Sequence, residues 1–161
     1  MATDLADATV VTLRQVTAES VRAVTSLRVS VEQEGYVASN AVSIAQAYFH
    51  KEAWFRSVCA GDDLVGFVML RDNTLLDSGK RSSEISLWRF MIDHRHQKLG
   101  FGRRALQLVL THARSRPGVT SIQTSYVVGP DGPRGFYLAF GFRHTDEVKP
   151  NGEVCLTLDF T

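Results

Sequence analysis

Gln97-Lys98-Leu99-Gly100-Phe101-Gly102-Arg103-Arg104 follows directly on the apolar stretch Ile85 to Ile92, and its reading decides the fold. Two glycines spaced by one residue let the backbone turn tightly and leave its amides open to an approaching ligand. Beyond them, apolar residues at 101, 105, 106, 109, 110 and 113 recur at helical spacing. The first N–H groups of such a helix have no intrahelical partners and stand at the positive end of its dipole, so loop and first turn together form an anion site. Arg103 and Arg104 add fixed positive charge.

A dinucleotide-binding fingerprint requires G-x-G-x-x-G, and Ala105 at its third position leaves that reading open by glycine count alone. Gln97, three residues ahead of the first glycine, argues against it, as does the lack of a clear βαβ unit and ribose-binding acid further on. A P-loop is excluded, because no Gly-Lys-Ser/Thr closes the run. A plain loop-to-helix joint also uses Gly-x-Gly, so the surroundings have to decide.

Between a strand and a helix, Gln-x-x-Gly-x-Gly resembles the coenzyme A signature of the GNAT (GCN5-related N-acetyltransferase) superfamily. Downstream, Gly135-Phe136-Tyr137-Leu138-Ala139-Phe140-Gly141-Phe142 resembles that family's second signature, a short Tyr-bearing helix followed by Gly-Phe and a strand. Leu87-Trp88-Arg89-Phe90-Met91-Ile92-Asp93, with Tyr36-Val37-Ala38-Ser39-Asn40 and Ala45-Gln46-Ala47-Tyr48, resembles the bacterial spermine/spermidine (diamine) acetyltransferase branch. The likeness runs from Val10 to Phe160.

The resemblance implies an α+β fold, a mixed and mostly antiparallel central sheet flanked by helices, as a single domain over residues 1–161. It implies acetyl-CoA as co-substrate and a small primary amine as acceptor, polyamines first, attacked directly in a ternary complex. The backbone of Gln97, Lys98, Leu99, Gly100, Phe101 and Gly102 would hold the acyl donor, supported by Arg103 and Arg104. The main chain of Phe90, Met91 and Ile92 would pair with the donor's amide groups as another strand does. The Phe90 amide would then face the thioester oxygen.

Tyr137 is the candidate general acid: a phenol of pKa about 10 protonates a thiolate whose conjugate acid lies near about 8.5 only when transfer is coupled to bond breaking. Where some relatives carry a Glu, this chain has Ser86; Glu84, two residues earlier on the same strand face, is either a base acting through water or a solvated acid. Glu32 and Glu34 are candidate acceptor-site acids or exposed helix-end glutamates. Trp54 and Tyr48 line an alkyl channel or belong to the core. Gly129-Pro130-Asp131-Gly132-Pro133 departs from the Asn usual ahead of the Tyr helix, with Asp131 its polar candidate. A non-catalytic acyl-CoA sensor on the same fold is the contrasting class.

Composition bounds these readings. With 161 residues, 44% hydrophobic and 22% charged, the chain is long enough for one well-buried core. A formal charge of +1 and no Lys/Arg block give no footprint for nucleic acid. No apolar run approaches the ~20 residues a membrane span needs. The start, Met1-Ala2-Thr3-Asp4 with Asp7 following, lacks a basic signal region, so a cytoplasmic location is expected. Cys59 and Cys155 read as buried thiols, and no metal is expected.

Periodicity predicts strands over 10–16, 54–60, 64–71, 84–92, 121–128, 142–148 and 153–160, with helices over 18–31, 42–50, 100–114 and in the second signature. Gly61-Asp62-Asp63 and Pro150-Asn151-Gly152 are the turn signals of two hairpins, and the polar loop 72–83 is a solvated connection. Exposed strand edges near the C-terminus leave a homodimer open.

Overall fold

A computed structural model describes residues 8–161; Met1 to Asp7, whose acidic character entered the reading of the start, lie outside the described residues. The order is β1 (Val11–Arg14), α1 (Val21–Ser26), α2 (Asn40–Ala47), β2 (Ala53–Ala60), β3 (Asp63–Asp72), β4 (Ile85–Ile92), α3 (Phe101–Ser115), β5 (Ser121–Tyr126), α4 (Arg134–Phe140), β6 (Arg143–Val148) and β7 (Val154–Asp159). The strands form one seven-stranded sheet in the order β1-β2-β3-β4-β5-β7-β6. Every neighbouring pair is antiparallel except β4 with β5. The expected α+β sheet flanked by helices is what the chain forms.

The middle strands are apolar on both sides because both faces are covered. On β3, Val68 and Leu70 pack into a cluster with Ala105, Leu106, Val109 and Leu110 of α3 and Tyr137 of α4. Phe67 and Met69 point the other way, to Val24 of α1, Leu27 and Met91. Trp54 belongs to the first cluster: its ring stacks on His112 at 4.2 Å, with Arg56 over it at 4.4 Å. Tyr48, just past α2, is 86% exposed. Neither aromatic ring lines the cavity described below, so the alkyl-channel reading of both gives way to packing and surface.

The helix expected over 18–31 stops at Ser26. Helical spacing continues through Leu27 and Val31, but tertiary bonds claim the backbone there. Arg28 N–H donates to Asp93 Oδ2 at 3.0 Å, and His94 N–H donates to the Arg28 carbonyl at 2.8 Å. Leu27 is thereby buried under β4 while Val31 is 78% exposed. Asp93 also accepts from Arg95 N–H at 3.1 Å and Arg95 Nε at 2.8 Å. Burial alone would raise its pKa, but these hydrogen bonds outweigh that and hold it at about 2. A carboxyl whose folded pKa lies below its unfolded value stabilises the fold above that unfolded value, and the contribution fades as pH falls through the folded one. Asp93→Asn is therefore expected to cost about 2 kcal/mol at pH 7 and to flatten the loss of stability between about pH 4 and 2, read by urea unfolding across pH.

The second helix begins two residues ahead of the expected start, at Asn40, because Ser39 caps it by accepting from Val42 N–H at 3.2 Å. Loop 72–83 is anchored rather than merely solvated. Asp72 is fully buried, accepts from the Thr74 N–H at 3.0 Å, and stands 3.4 Å from Arg116 Nε and 3.6 Å from His112 Nε2. Cys59 and Cys155 are both buried and free. At the sheet edge, the β6 register is broken between His144 and Val148, with Asp146 at φ 65°. Such an irregular edge discourages strand addition by another chain.

Candidate functional site

The site begins where the sheet comes apart. The parallel pair β4 and β5 has a single register partner, Ser86 with Gln123, after which the strands diverge. Thr124 Oγ1 still reaches the Leu87 carbonyl at 3.3 Å, and beyond it β4 runs on to Ile92 without a neighbour on that side. On its other side β4 stays paired with β3, except that Trp88 is an extra residue between the pairs Leu70–Leu87 and Met69–Arg89. A bulge of this kind re-aims the strand.

Alternation then fixes which amides are open. Asp93 N–H donates to the Val65 carbonyl at 2.8 Å, so in the antiparallel ladder Met91 and Arg89 are the next hydrogen-bonded positions toward β3. The main-chain groups of Phe90 and Ile92 face the gap, and the Ile92 carbonyl accepts from Gln97 Nε2 at 2.9 Å. Met91, grouped with these two in the sequence reading, has its main chain turned to β3 and its side chain buried.

The glycine loop closes one end of the gap. Lys98 (φ 62°) and Gly100 (φ 84°) are left-handed, which coils the chain so that α3 starts at Phe101. The first α3 backbone bond runs from Arg104 N–H to the Gly100 carbonyl, and the N–H groups of Phe101, Gly102 and Arg103 precede it. The Phe101 side chain is buried and Leu99 packs on the same core. Arg103 lines the cavity, whereas Arg104 turns away to the Thr9 carbonyl and lies over the Phe101 ring at 5.2 Å. A Cβ at Gly102 would touch Ile92 and Phe136 at 3.5 and 3.7 Å, and Phe136 stacks on Phe90 at 5.9 Å. The loop, the open edge of β4 and α4 thus meet at one place.

Tyr137 projects from α4 into this place. It is buried, beside the Thr124 hydroxyl, and burial pushes its pKa up to about 12, the Thr124 hydrogen bond opposing only in part. At neutral pH it is an un-ionised O–H donor.

A single cavity of about 880 Å³ joins these parts. Besides Phe90, Gln97, Lys98 and Tyr137, its lining includes Glu34, Tyr36, Trp88, Arg89, Asp131 and Glu153. Glu32 lies in an adjoining cleft with Lys98 and Asp131. Glu84 is not brought in. It precedes β4 at the far end, about 20 Å of strand from Phe90, where its carboxylate accepts from Ser82 Oγ at 3.4 Å. Arg89, Tyr36 and Glu153 were not singled out as site residues, although the first two stand in quoted stretches. Glu153 reaches the cavity through the β6–β7 hairpin, and nothing local marks that. Burial lowers the Arg89 pKa while Glu153 opposes the shift, and its Nη2 donates to Gln46 Oε1 at 3.1 Å.

The family model of the acetyltransferase (GNAT) family matches residues 22–142. The chain belongs to this family. A GNAT acetyltransferase uses acetyl-CoA as co-substrate, and the residues present fit that donor: unpaired helix amides with Lys98 and Arg103 for its phosphates, and an open strand edge for its amides. Over 146 residues the chain is 27% identical to the spermine/spermidine N(1)-acetyltransferase of Bacillus subtilis, spanning 89% of this chain and 94% of that one. Among solved structures, an aminoglycoside acetyltransferase in complex with coenzyme A superposes with a TM-score of 0.70 at 14% identity, covering 93% of this chain and 95% of that one. The ribosomal-protein-S18-alanine N-acetyltransferase of Escherichia coli superposes at 0.68 with 12% identity, over 94% and 95%. The GNAT fold thus serves acceptors as different as a polyamine, an aminoglycoside and a protein, so the acceptor has to be argued from the cavity. Among the described residues no helix is long and apolar enough to cross a membrane.

Proposed function

We propose that this N-acetyltransferase acts on a primary amine of a small cationic acceptor, polyamines such as spermine and spermidine first. The observation that carries the reading is the charge along the cavity. Lys98 and Arg103 stand at the glycine loop, and Glu34, Asp131 and Glu153 share the cavity lining with them and with Arg89, Asp131 also lining the adjoining cleft with Lys98 and Glu32. Carboxylates around a pocket favour a cationic ligand, and three of them suit one that carries more than one charge. The relative that acts on spermine and spermidine points the same way.

Acetyl-CoA supplies an activated acyl carbon and a thiol leaving group. The phosphates fall to the amides of Phe101, Gly102 and Arg103, with Lys98 and Arg103 as counter-charges. Phe90 and Ile92 offer main-chain groups along the gap; we assign the Phe90 N–H to the carbonyl oxygen of the thioester. Tyr137 donates its proton to the departing sulfur. Glu84 is out of reach, so no side-chain base is assigned. The attacking amine reacts as the free base; desolvation in the apolar part of the cavity favours that form, while the carboxylates that draw the cation in oppose it.

Purified protein is to be tested for thiol release from acetyl-CoA with spermine, spermidine, linear diamines, aminoglycosides and an amine-free control. Release accelerated by spermidine is the expected result. Release accelerated only by another amine, or only by a protein amino group, would overturn the polyamine reading within the same chemistry.

A further inference from the structure

The geometry points to Tyr36 as a specificity-determining residue that restricts the acceptor to a slender, unbranched amine. The inference rests on the proposed acetyl transfer to a small amine and deepens it.

Tyr36 follows the turn Val31–Gln33 and crosses to the loop between β5 and α4. Its ring is seated in a notch that two glycines leave open. A Cβ on Gly129 would stand 2.7 Å from Tyr36 Cζ and 2.9 Å from Cε1, and one on Gly132 would stand 3.1 Å from Cε1. No other residue type fits at 129 with Tyr36 in place. The notch is a turn closed by Gly132 N–H to the Gly129 carbonyl at 3.3 Å, and Asp131 N–H donates to the Tyr36 hydroxyl at 3.3 Å. The unusual Gly-Pro-Asp-Gly-Pro loop is in this light a receptor for an aromatic ring.

The near end of the strap is also fastened. Gln33 Oε1 accepts from Gln97 Nε2 at 2.8 Å and from Ser30 N–H at 3.3 Å. Segment 30–36 is therefore tied at Gln33 to the glycine loop and at Tyr36 to the loop ahead of the Tyr137 helix. Gln33, Glu34, Tyr36 and Asp131 all line the cavity, so the strap bounds the same space in which the Phe90 amide and Tyr137 lie.

Size gives the consequence. A pocket of about 300–1,000 Å³ is filled by one drug-sized ligand, and here about 880 Å³ has to take the arm of the acyl donor together with the acceptor. Tyr36, held in its notch, forms a fixed part of the wall around that shared space. The inference is that an unbranched chain passes this wall, whereas a ring-bearing amine meets it unless Tyr36 leaves its notch.

The test compares Tyr36→Ala, Tyr36→Phe and Gly129→Ala with the wild type. Each is assayed for kcat/KM with spermidine, 1,4-diaminobutane, hexylamine and two ring-bearing amines, an aminoglycoside and a bis(aminomethyl)cyclohexane. The thermal shift caused by CoA serves as the check that each variant is folded. The wild type is expected to prefer linear amines. Tyr36→Ala and Gly129→Ala, which vacate or fill the notch, are expected to raise the ring-to-linear ratio by about tenfold or more. Tyr36→Phe, which keeps the ring and loses the hydroxyl, is expected to change it by less than about threefold. A wild type that acetylates ring-bearing amines as well as linear ones, or that acetylates no linear amine, overturns the inference, as does an unchanged ratio in folded Tyr36→Ala and Gly129→Ala. Turnover of hexylamine but not of spermidine, with the ratio shifting as stated, overturns the polyamine reading and leaves the role of Tyr36 standing.

Discussion

Tyr137→Phe is expected to lower kcat by about 10²- to 10⁴-fold while leaving the affinity for CoA within about threefold. The ring is buried against Phe136 and Phe142, at 5.5 and 5.4 Å, and phenylalanine keeps those contacts, so the substitution removes a hydroxyl and little else. A phenol held at about 12 is more than three units weaker as an acid than a thiol of about 8.5. Full transfer ahead of bond breaking is thus uphill by more than about 4 kcal/mol. The proton moves only as the carbon–sulfur bond yields, which is why position beside the gap matters more than acidity. The raised pKa has a signature of its own. Ionisation of Tyr137 sets in only toward pH 12, so the wild-type kcat profile should show no loss near pH 10 from this group. Rapid-quench and steady-state rates across pH check both points. Unchanged kcat in a folded Tyr137→Phe that binds CoA would remove the general-acid assignment.

Asp72→Ala is expected to destabilise the fold by about 3–5 kcal/mol, lowering Tm by roughly 10 °C in a domain of this size. The carboxyl is fully buried at the end of β3, where it receives the Thr74 N–H and hydroxyl on Oδ1 and faces Arg116 and His112 across Oδ2. Alanine leaves the Thr74 N–H and hydroxyl without their acceptor, takes the counter-charge from Arg116, whose Nε keeps its hydrogen bond to Thr74 Oγ1 at 2.9 Å, and removes the cap of the short turn Asn73–Leu75. The cluster lies among β3, α3 and Trp54, and none of its members lines the cavity. Stability should therefore fall while kcat at 20 °C, measured with saturating acetyl-CoA, stays within about twofold. Calorimetry with parallel assays separates the two. A Tm unchanged within about 2 °C would show that Arg116 and Thr74 find water in its place.

The contrast between these residues shows where the chain is legible. Gln97 to Gly102 could be read because backbone chemistry is local: glycines that admit left-handed φ, a helix start behind them and apolar spacing beyond are all written within about twenty residues. Tyr137 beside Gly141-Phe142 was readable by likeness alone, since a tyrosine carries no mark of burial. Helix 18–31 was over-read. The spacing of Leu27 and Val31 is helical, yet Arg28 is bound by Asp93, sixty-five residues on. A bond that distant outweighs a propensity of a few tenths of a kcal/mol per residue.

Local order by itself determined the strands, the glycine turn ahead of α3 and the alternation of strands with helices, because period, turn residues and caps act over a few neighbours. Only the tertiary structure decided which candidates meet. The divergence of β4 from β5 exposes Phe90 and Ile92 but returns Met91 to β3, because hydrogen bonding alternates along a ladder. Extension of β4 carries Glu84 away from the gap, packing turns Arg104 aside, and the fold seats Tyr36 against Gly129 across 93 positions of chain. Spacing in sequence says nothing of such distances, since the folding of intervening elements sets them.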